Sequence, residues 1–452
     1  MTIPQSIALD TSRKELLLLA ARTLTDPRAH EPGDRLALLA GALAADEDWM
    51  RSFLFWSGKQ HRLRAFTLAV TTEFVVARLA AKLCTAADAR RLVDAALVRA
   101  DEPGILLAYA LRRLGRTIPK PIKDGVAKAA ERLYDEHALA VHDTGDAAMR
   151  FAEVIGQTHP KPVGKARNAV FQYASQRLKR ENPVPEPLAE LRARAELLAV
   201  PAARRARMLD RLDAADMFAA AAMTWPQVAA WLDGAMTGKA WAAVARSMSQ
   251  SQRLAHLRDF DAAGLDSEVA DWVCADLAEG TRTTAMPLEI MDAYRMVPSS
   301  RWSWALERAL ERALAQVPVL RGRTLILVDR GASMASQADG GAAFAAALAL
   351  RSPSAELVEF GPRVAPVEVG RSVPETVAAF STPGGAQTVA QAVRERMDGH
   401  DRVIVLTHPG AAAQAAEAVA MPGHEHVITE PGDGWFAAIP VIEMARAATW
   451  PF

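Results

Sequence analysis

The sequence predicts an α + α/β fold: a HEAT-like stack of α-helices over residues 1–320, then a doubly wound α/β domain over residues 321–452. Three observations predict it. Across the first part, apolar positions recur three and four apart in segments rich in Ala, Leu and Arg, with short breaks and no strand pattern. At Thr324–Val328, five apolar or β-branched residues read as a buried strand that ends on Asp329. Beyond that point, strand and helix patterns alternate, as in a doubly wound sheet. No clean period marks the helical part, so the repeat is inferred from helix lengths and tight connections.

In chain order, Lys14–Leu24, Arg35–Ala45, Trp49–Trp56, Arg62–Leu83 and Ala86–Val98 read as amphipathic helices, with Asp48 and Thr85 as N-caps. Asp101-Glu-Pro-Gly104 and Thr117-Ile-Pro-Lys-Pro121 separate later helices. A helix ending near His159 is stopped by Pro160 and Pro162, and one near Arg258 is closed by Gly264. Trp225, Trp231 and Trp241 fall at roughly helical spacing, which favours core positions over base-stacking platforms. After the joint, strands are expected at Ala355–Phe360, Ala365–Val369, Arg402–Leu406 and His426–Thr429. The intervening helices are expected at Gly341–Leu350, Thr388–Met397 and Ala411–Val419.

The chain of 452 residues has zero formal net charge, but the charge is unevenly placed. Residues 322–452 hold 9 Lys+Arg against 14 Asp+Glu and contain no lysine. Residues 112–207 hold 19 Lys+Arg against 11 Asp+Glu. Two distant cysteines, Cys84 and Cys274, exclude a disulfide framework and a zinc-knuckle spacing. No signal peptide or membrane-length apolar run is legible, so a cytoplasmic, reducing location is expected. The nucleophile elbow, P-loop and His-Glu-x-x-His patterns are absent from the sequence, and no enzymatic activity is expected.

Within the basic stretch, Lys120, Lys123 and Lys128 share one broad helix face. His159, Lys161, Lys165 and Arg167 follow, with Arg177, Lys179 and Arg180 beyond them. Such charge is either a solvated helix surface, as the interspersed Asp124, Glu131 and Asp135 suggest, or an electrostatic footprint for phosphate.

Several blocks carry a resemblance to a known family. They are Asp48-Trp49 with Phe53-Leu-Phe-Trp56, Arg64-Ala-Phe-Thr-Leu-Ala-Val, Ala100-Asp-Glu-Pro-Gly104 and Ile118-Pro-Lys-Pro-Ile-Lys-Asp-Gly-Val126. Val154-Ile-Gly-Gln-Thr-His-Pro-Lys-Pro162, Leu257–Gly264, Val297–Trp302 and the final Ala447-Ala-Thr-Trp-Pro-Phe452 continue them. In this order the blocks resemble the TROVE family of Ro-autoantigen-like proteins, which join a ring of HEAT-like repeats to a von Willebrand A domain. The resemblance implies an RNA-binding scaffold that holds small structured noncoding (Y-like) RNA and single-stranded RNA ends in RNA quality control. It further implies an exoribonuclease partner tethered through RNA; neither a membrane nor DNA is expected as a partner. Matched motif by motif, RNA contacts fall on Lys120, Lys123 and Lys128, on His159 and Lys161, and on the neighbouring Lys165 and Arg167. Ala255 and His256 depart from the Arg-Asn common in the family, which bears on the central-hole activity.

The second domain departs from its family pattern. A metal-ion-dependent adhesion site needs Asp-x-Ser-x-Ser, a Thr and a further Asp to give Mg²⁺ its hard oxygen shell. Here Asp329 and Ser333 survive, Gly331 replaces the first Ser, Ala386 and Gln387 stand at the second loop, and His408 takes the Asp position. The expectation is that Mg²⁺ is not bound and that no cofactor is needed, with Thr388 or Thr407 able to replace only a hydroxyl. The alternative function is a protein-interaction module that recruits partners through this altered face, using Arg330 and His408.

Overall fold

The computed structural model describes residues 5–26, 33–177, 183–280, 285–297, 299–386, 388–419 and 424–452. Among the described residues, the elements are helical as far as the Ser303–Ala313 helix and the short turn of helix after it, and the first strand begins at Thr324. The change of secondary structure therefore falls between Gln316 and Thr324. The compact units divide elsewhere: one spans Met1–Thr23, Pro27–Met248 and Pro451–Phe452, the other Leu24–Asp26 and Ser249–Trp450. No described helix is long and apolar enough to cross a membrane.

In the first unit, each helix buries one apolar stripe against its neighbours. The Ala86–Ala96, Glu102–Leu114, Lys120–Leu133, Phe151–Thr158 and Lys165–Gln176 helices share one core that includes Val93, Leu107, Val126, Val154 and Phe171. Thr85 caps its helix through a capping box with Asp88. Asp48 lies inside the first turn of the Glu47–Lys59 helix, where Asp46 is the N-cap. Gly125 is required by close approach: a Cβ there would lie 2.6 Å from Val93 Cβ and 2.8 Å from Arg90 O. Trp231 and Trp241 are buried, in keeping with their spacing. Phe452 packs with Trp49, Phe53 and Trp56, so two of the quoted sequence blocks meet.

Half-buried arginines tie these helices together by donating to carbonyls left unpaired at helix ends. Arg64 reaches Gly58 O and Ala96 O at 2.8 Å each and Glu102 Oε1 at 2.6 Å. Glu102, in the Asp-Glu-Pro-Gly block, also accepts from the amides of Val98 and Arg99.

The second unit contains a five-stranded sheet: β1 (Thr324–Asp329), β2 (Ala355–Phe360), β3 (Ala365–Pro366), β4 (Arg402–Leu406) and β5 (Glu425–Ile428). Its order is β3-β2-β1-β4-β5, with β1 parallel to both β2 and β4 and only β3 antiparallel. β3 is shorter than the run Ala365–Val369 suggests, because Pro366 lacks an N–H and confines it to the edge. Leu325, Leu327, Val403 and Val405 pack on Val389, Ala392 and Ala415 from two covering helices. The alternate residues Ile326, Val328 and Ile404 are also fully buried, which explains the continuous apolar runs. The Ala338–Arg351 and Gly434–Arg446 helices meet by stacking of Phe344 on Phe436, centroids 4.6 Å apart. The Gly434–Arg446 helix is absent from the sequence reading; Pro440 inside it conceals it.

A buried ion network joins that helix to the sheet. Arg402 donates to Glu443 through Nε at 2.5 Å and Nη2 at 2.6 Å, and His426 Nε2 lies 3.0 Å from the same carboxylate. Burial alone would raise the Glu443 carboxyl, but the bonds from Arg402 and His426 outweigh it and bring its pKa to about 2. A depressed folded pKa stabilises above the unfolded value near 4.5, and that contribution fades as pH falls toward 2. The expected size is ~3 kcal/mol at neutral pH. Thermal melts of wild type and Glu443→Gln should differ at pH 7 and converge toward pH 2. A pH-independent difference would contradict the assignment.

Candidate nucleic-acid interface

The basic face is built on three packed helices. The Lys120–Leu133 helix buries Ile122, Gly125, Val126 and Ala129, which turns Lys120 and Lys128 to solvent and leaves Lys123 half-buried. The Phe151–Thr158 helix ends on His159, whose left-handed backbone (φ 49°, ψ 54°) turns the chain out before Pro160. His159, Lys161, Lys165 and Arg167 are all exposed. The Lys165–Gln176 helix then starts after Gly164, with no acidic residue and no side-chain cap in its first turn. At the base of the face, Tyr134 stacks on Phe151 with centroids 3.7 Å apart.

Many of the arginines of the basic stretch are engaged by the fold. Arg150 and Arg177 both bond the buried Asp143 carboxylate, and Arg132 donates to Asp94 and to Leu97 O. Arg194 and Arg205 donate to helix-end carbonyls. Arg167 likewise caps the lysine-bearing helix, donating to Glu131 O at 2.6 Å and Arg132 O at 3.3 Å. Lys128 pairs with Glu131 at 2.6 Å. Among the described residues, the ammonium groups of Lys120, Lys123, Lys161 and Lys165 have no such partner. The excess charge of residues 112–207 thus overstates the free cations: Arg132, Arg150, Arg167, Arg177, Arg194 and Arg205 hold the scaffold, while Lys120, Lys161 and Lys165 face solvent. Lys179 and Arg180 lie outside the described residues.

Two of the interspersed acids have structural tasks. Asp135 caps the Glu136–His142 helix by accepting from Ala138 N at 2.8 Å. Glu131 accepts from the Lys161 amide at 2.7 Å, which brings Lys128, Lys161 and Arg167 together at one helix end. The sequence showed Glu131 only as a countercharge; a carboxylate one turn from a helix end and opposite a Pro-x-Pro segment was the available signal.

The second candidate site lies at the C-terminal ends of β1 and β4, where the sheet reverses its strand order. Asp329 Oδ1 accepts from Gly331 N at 2.7 Å, and Oδ2 accepts from Thr407 Oγ1 at 2.6 Å. Both oxygens of the surviving carboxylate are therefore engaged by the chain. Thr388 caps the Val389–Arg396 helix instead of facing Asp329, and Ser333 is exposed on the turn. The Arg330 guanidinium is buried and donates to Ser381 O through Nε at 3.0 Å and Nη2 at 2.7 Å, so it clips two loops together instead of offering a free cation. Gln387 lies outside the described residues. Three glycines allow these loops to meet; a Cβ on Gly385 would lie 2.2 Å from Gly361 O. Among the described residues, no three His, Cys, Asp or Glu side chains are grouped as metal ligands. The set at Asp329 does not fit Mg²⁺, which requires more free oxygen ligands than remain.

No protein-family model matches the chain, and no curated protein does. Among solved structures, the Ro protein (RSR) of Deinococcus radiodurans is similar over 93% of this chain and 94% of that one, with a TM-score of 0.65 and 20% identity. The helical repeat followed by a doubly wound α/β domain is thus a Ro-type fold over nearly the whole chain.

Proposed function

We propose that this protein is a non-enzymatic RNA-binding scaffold that holds small structured noncoding RNA, and single-stranded RNA ends, in RNA quality control. The observation that carries the reading is the lysine set Lys120, Lys123, Lys161 and Lys165. These cations are left unpaired on a face where Arg132 and Arg167 are engaged by the fold. Unpaired ammonium groups suit sequence-independent phosphate contact. Lys128, His159 and Arg167 border them. An exoribonuclease partner reaches the protein through the bound RNA. The functional division follows the secondary structure, with residues 1–320 carrying RNA and 321–452 forming the α/β part. Purification from the native host at low salt should recover a discrete small RNA with the wild type and not with a Lys120/Lys123/Lys161→Glu variant. Equal recovery from both, or none above an unrelated control protein, would remove the reading.

We also infer that the Asp329 site works without Mg²⁺, because both Asp329 oxygens are already bonded. Titration calorimetry with MgCl₂ should give no saturable heat at millimolar metal. Tight binding would show that Thr407 and Gly331 release the carboxylate.

A further inference from the structure

The connection between the Phe151–Thr158 and Lys165–Gln176 helices carries His159 and Lys161, and little holds it in place. Pro160 and Pro162 have no N–H, so over these three residues the Lys161 amide is the one backbone donor. That amide donates to Glu131 Oε1 at 2.7 Å, while Lys128 Nζ donates to Glu131 Oε2 at 2.6 Å. One carboxylate therefore ties the lysine-bearing helix to the proline-flanked segment. Its side chain is only 17% exposed, so it sits beneath the cations and not among them.

We propose that Glu131 is a positioning residue of the RNA interface. Its carboxylate, which by charge repels phosphate, fixes Lys161 relative to the Lys120–Lys128 face so that RNA meets cations already in register. Preorganisation of this kind raises affinity by removing the ordering cost from the binding step. The inference rests on the RNA-binding reading and adds a residue that charge alone would place in opposition to it.

Two substitutions separate the ideas, because Glu131→Gln and Glu131→Ala remove the same negative charge. Only glutamine keeps an oxygen that can accept from the Lys161 amide. With a labelled hairpin RNA as probe, Glu131→Gln should bind at least as tightly as wild type. Glu131→Ala should bind about 5-fold more weakly, the value of roughly one lost hydrogen bond. Amide exchange at Lys161 in the free protein should accelerate in Glu131→Ala and stay near wild type in Glu131→Gln, a readout independent of RNA. Equal tightening by both substitutions would reduce Glu131 to a countercharge, and equal weakening would deny the acceptor role; either overturns the proposal. Failure of the underlying reading looks different, since the wild type would itself lack salt-sensitive RNA binding while the exchange difference at Lys161 persisted. That result would leave Glu131 as a structural pin and overturn its role at an RNA interface.

Discussion

Replacing Asp143 by alanine is expected to destabilise the helical repeat by ~3–5 kcal/mol, the usual cost of removing one partner from a buried ion cluster. The Asp143 side chain is fully buried and accepts from Arg150 Nε at 2.9 Å, from Arg177 and from the Phe151 amide at 2.8 Å. Alanine would leave two guanidinium groups and a helix-start amide without their acceptor, in a region too enclosed for water to replace it fully. Asparagine keeps a neutral acceptor of the same shape and should cost less. Because Phe151 begins the helix that ends at His159, the loss should loosen the basic segment as well. Urea unfolding of the three proteins tests this. A midpoint for Asp143→Ala within experimental error of wild type would show that the cluster contributes little.

The second large effect concerns RNA. Reversing Lys120, Lys123 and Lys161 to Glu should weaken binding of a structured RNA on the order of 100-fold at low salt, through lost phosphate contacts and added repulsion. The loss should be similar across RNA sequences, since ammonium–phosphate contacts carry no base information. These side chains are exposed or half-buried and have no described partner, so the fold should tolerate the change. An affinity within 2-fold of wild type would return this face to plain solvated charge.

The sequence was most informative where one residue pattern had one physical meaning. The apolar run Thr324–Val328 forms β1, and Gly264 closes its helix in the left-handed conformation at φ 68°. Thr85 could be read as a cap because its Asp88 partner sits three residues on. Pattern failed where tertiary context decided. Pro440 sits inside a helix held by the sheet and by the Glu443 network. The helices over Ser249–Gln316 share a unit with the α/β sheet, partly because Asp433 caps the helix at Pro287 by accepting from the Leu288 and Glu289 amides. No periodicity reveals a cap supplied from residues so distant in sequence.

The candidate interface was legible as positions but not as roles. Counting charges picked out residues 112–207 but treated every cation in them as equivalent. Arg150, Arg177 and Arg194 are structural because guanidinium forks match buried carboxylates and helix-end carbonyls, a pairing visible only once the helices are packed. The adhesion-site remnant behaved similarly. Loss of ligands was plain from Gly331, Ala386 and His408, but the bond from Thr407 to Asp329, and the turning of Arg330 onto Ser381 O, required the folded loops.

The most direct test of the central claim is the salt dependence of RNA affinity. For the wild type, log K should fall linearly with log salt, and the slope should shrink by about 2–3 in the Lys120/Lys123/Lys161 variant, as each lost phosphate contact removes 0.7–0.9. A wild-type affinity that is flat with salt, or a slope unchanged by the three reversals, would contradict RNA binding at this face.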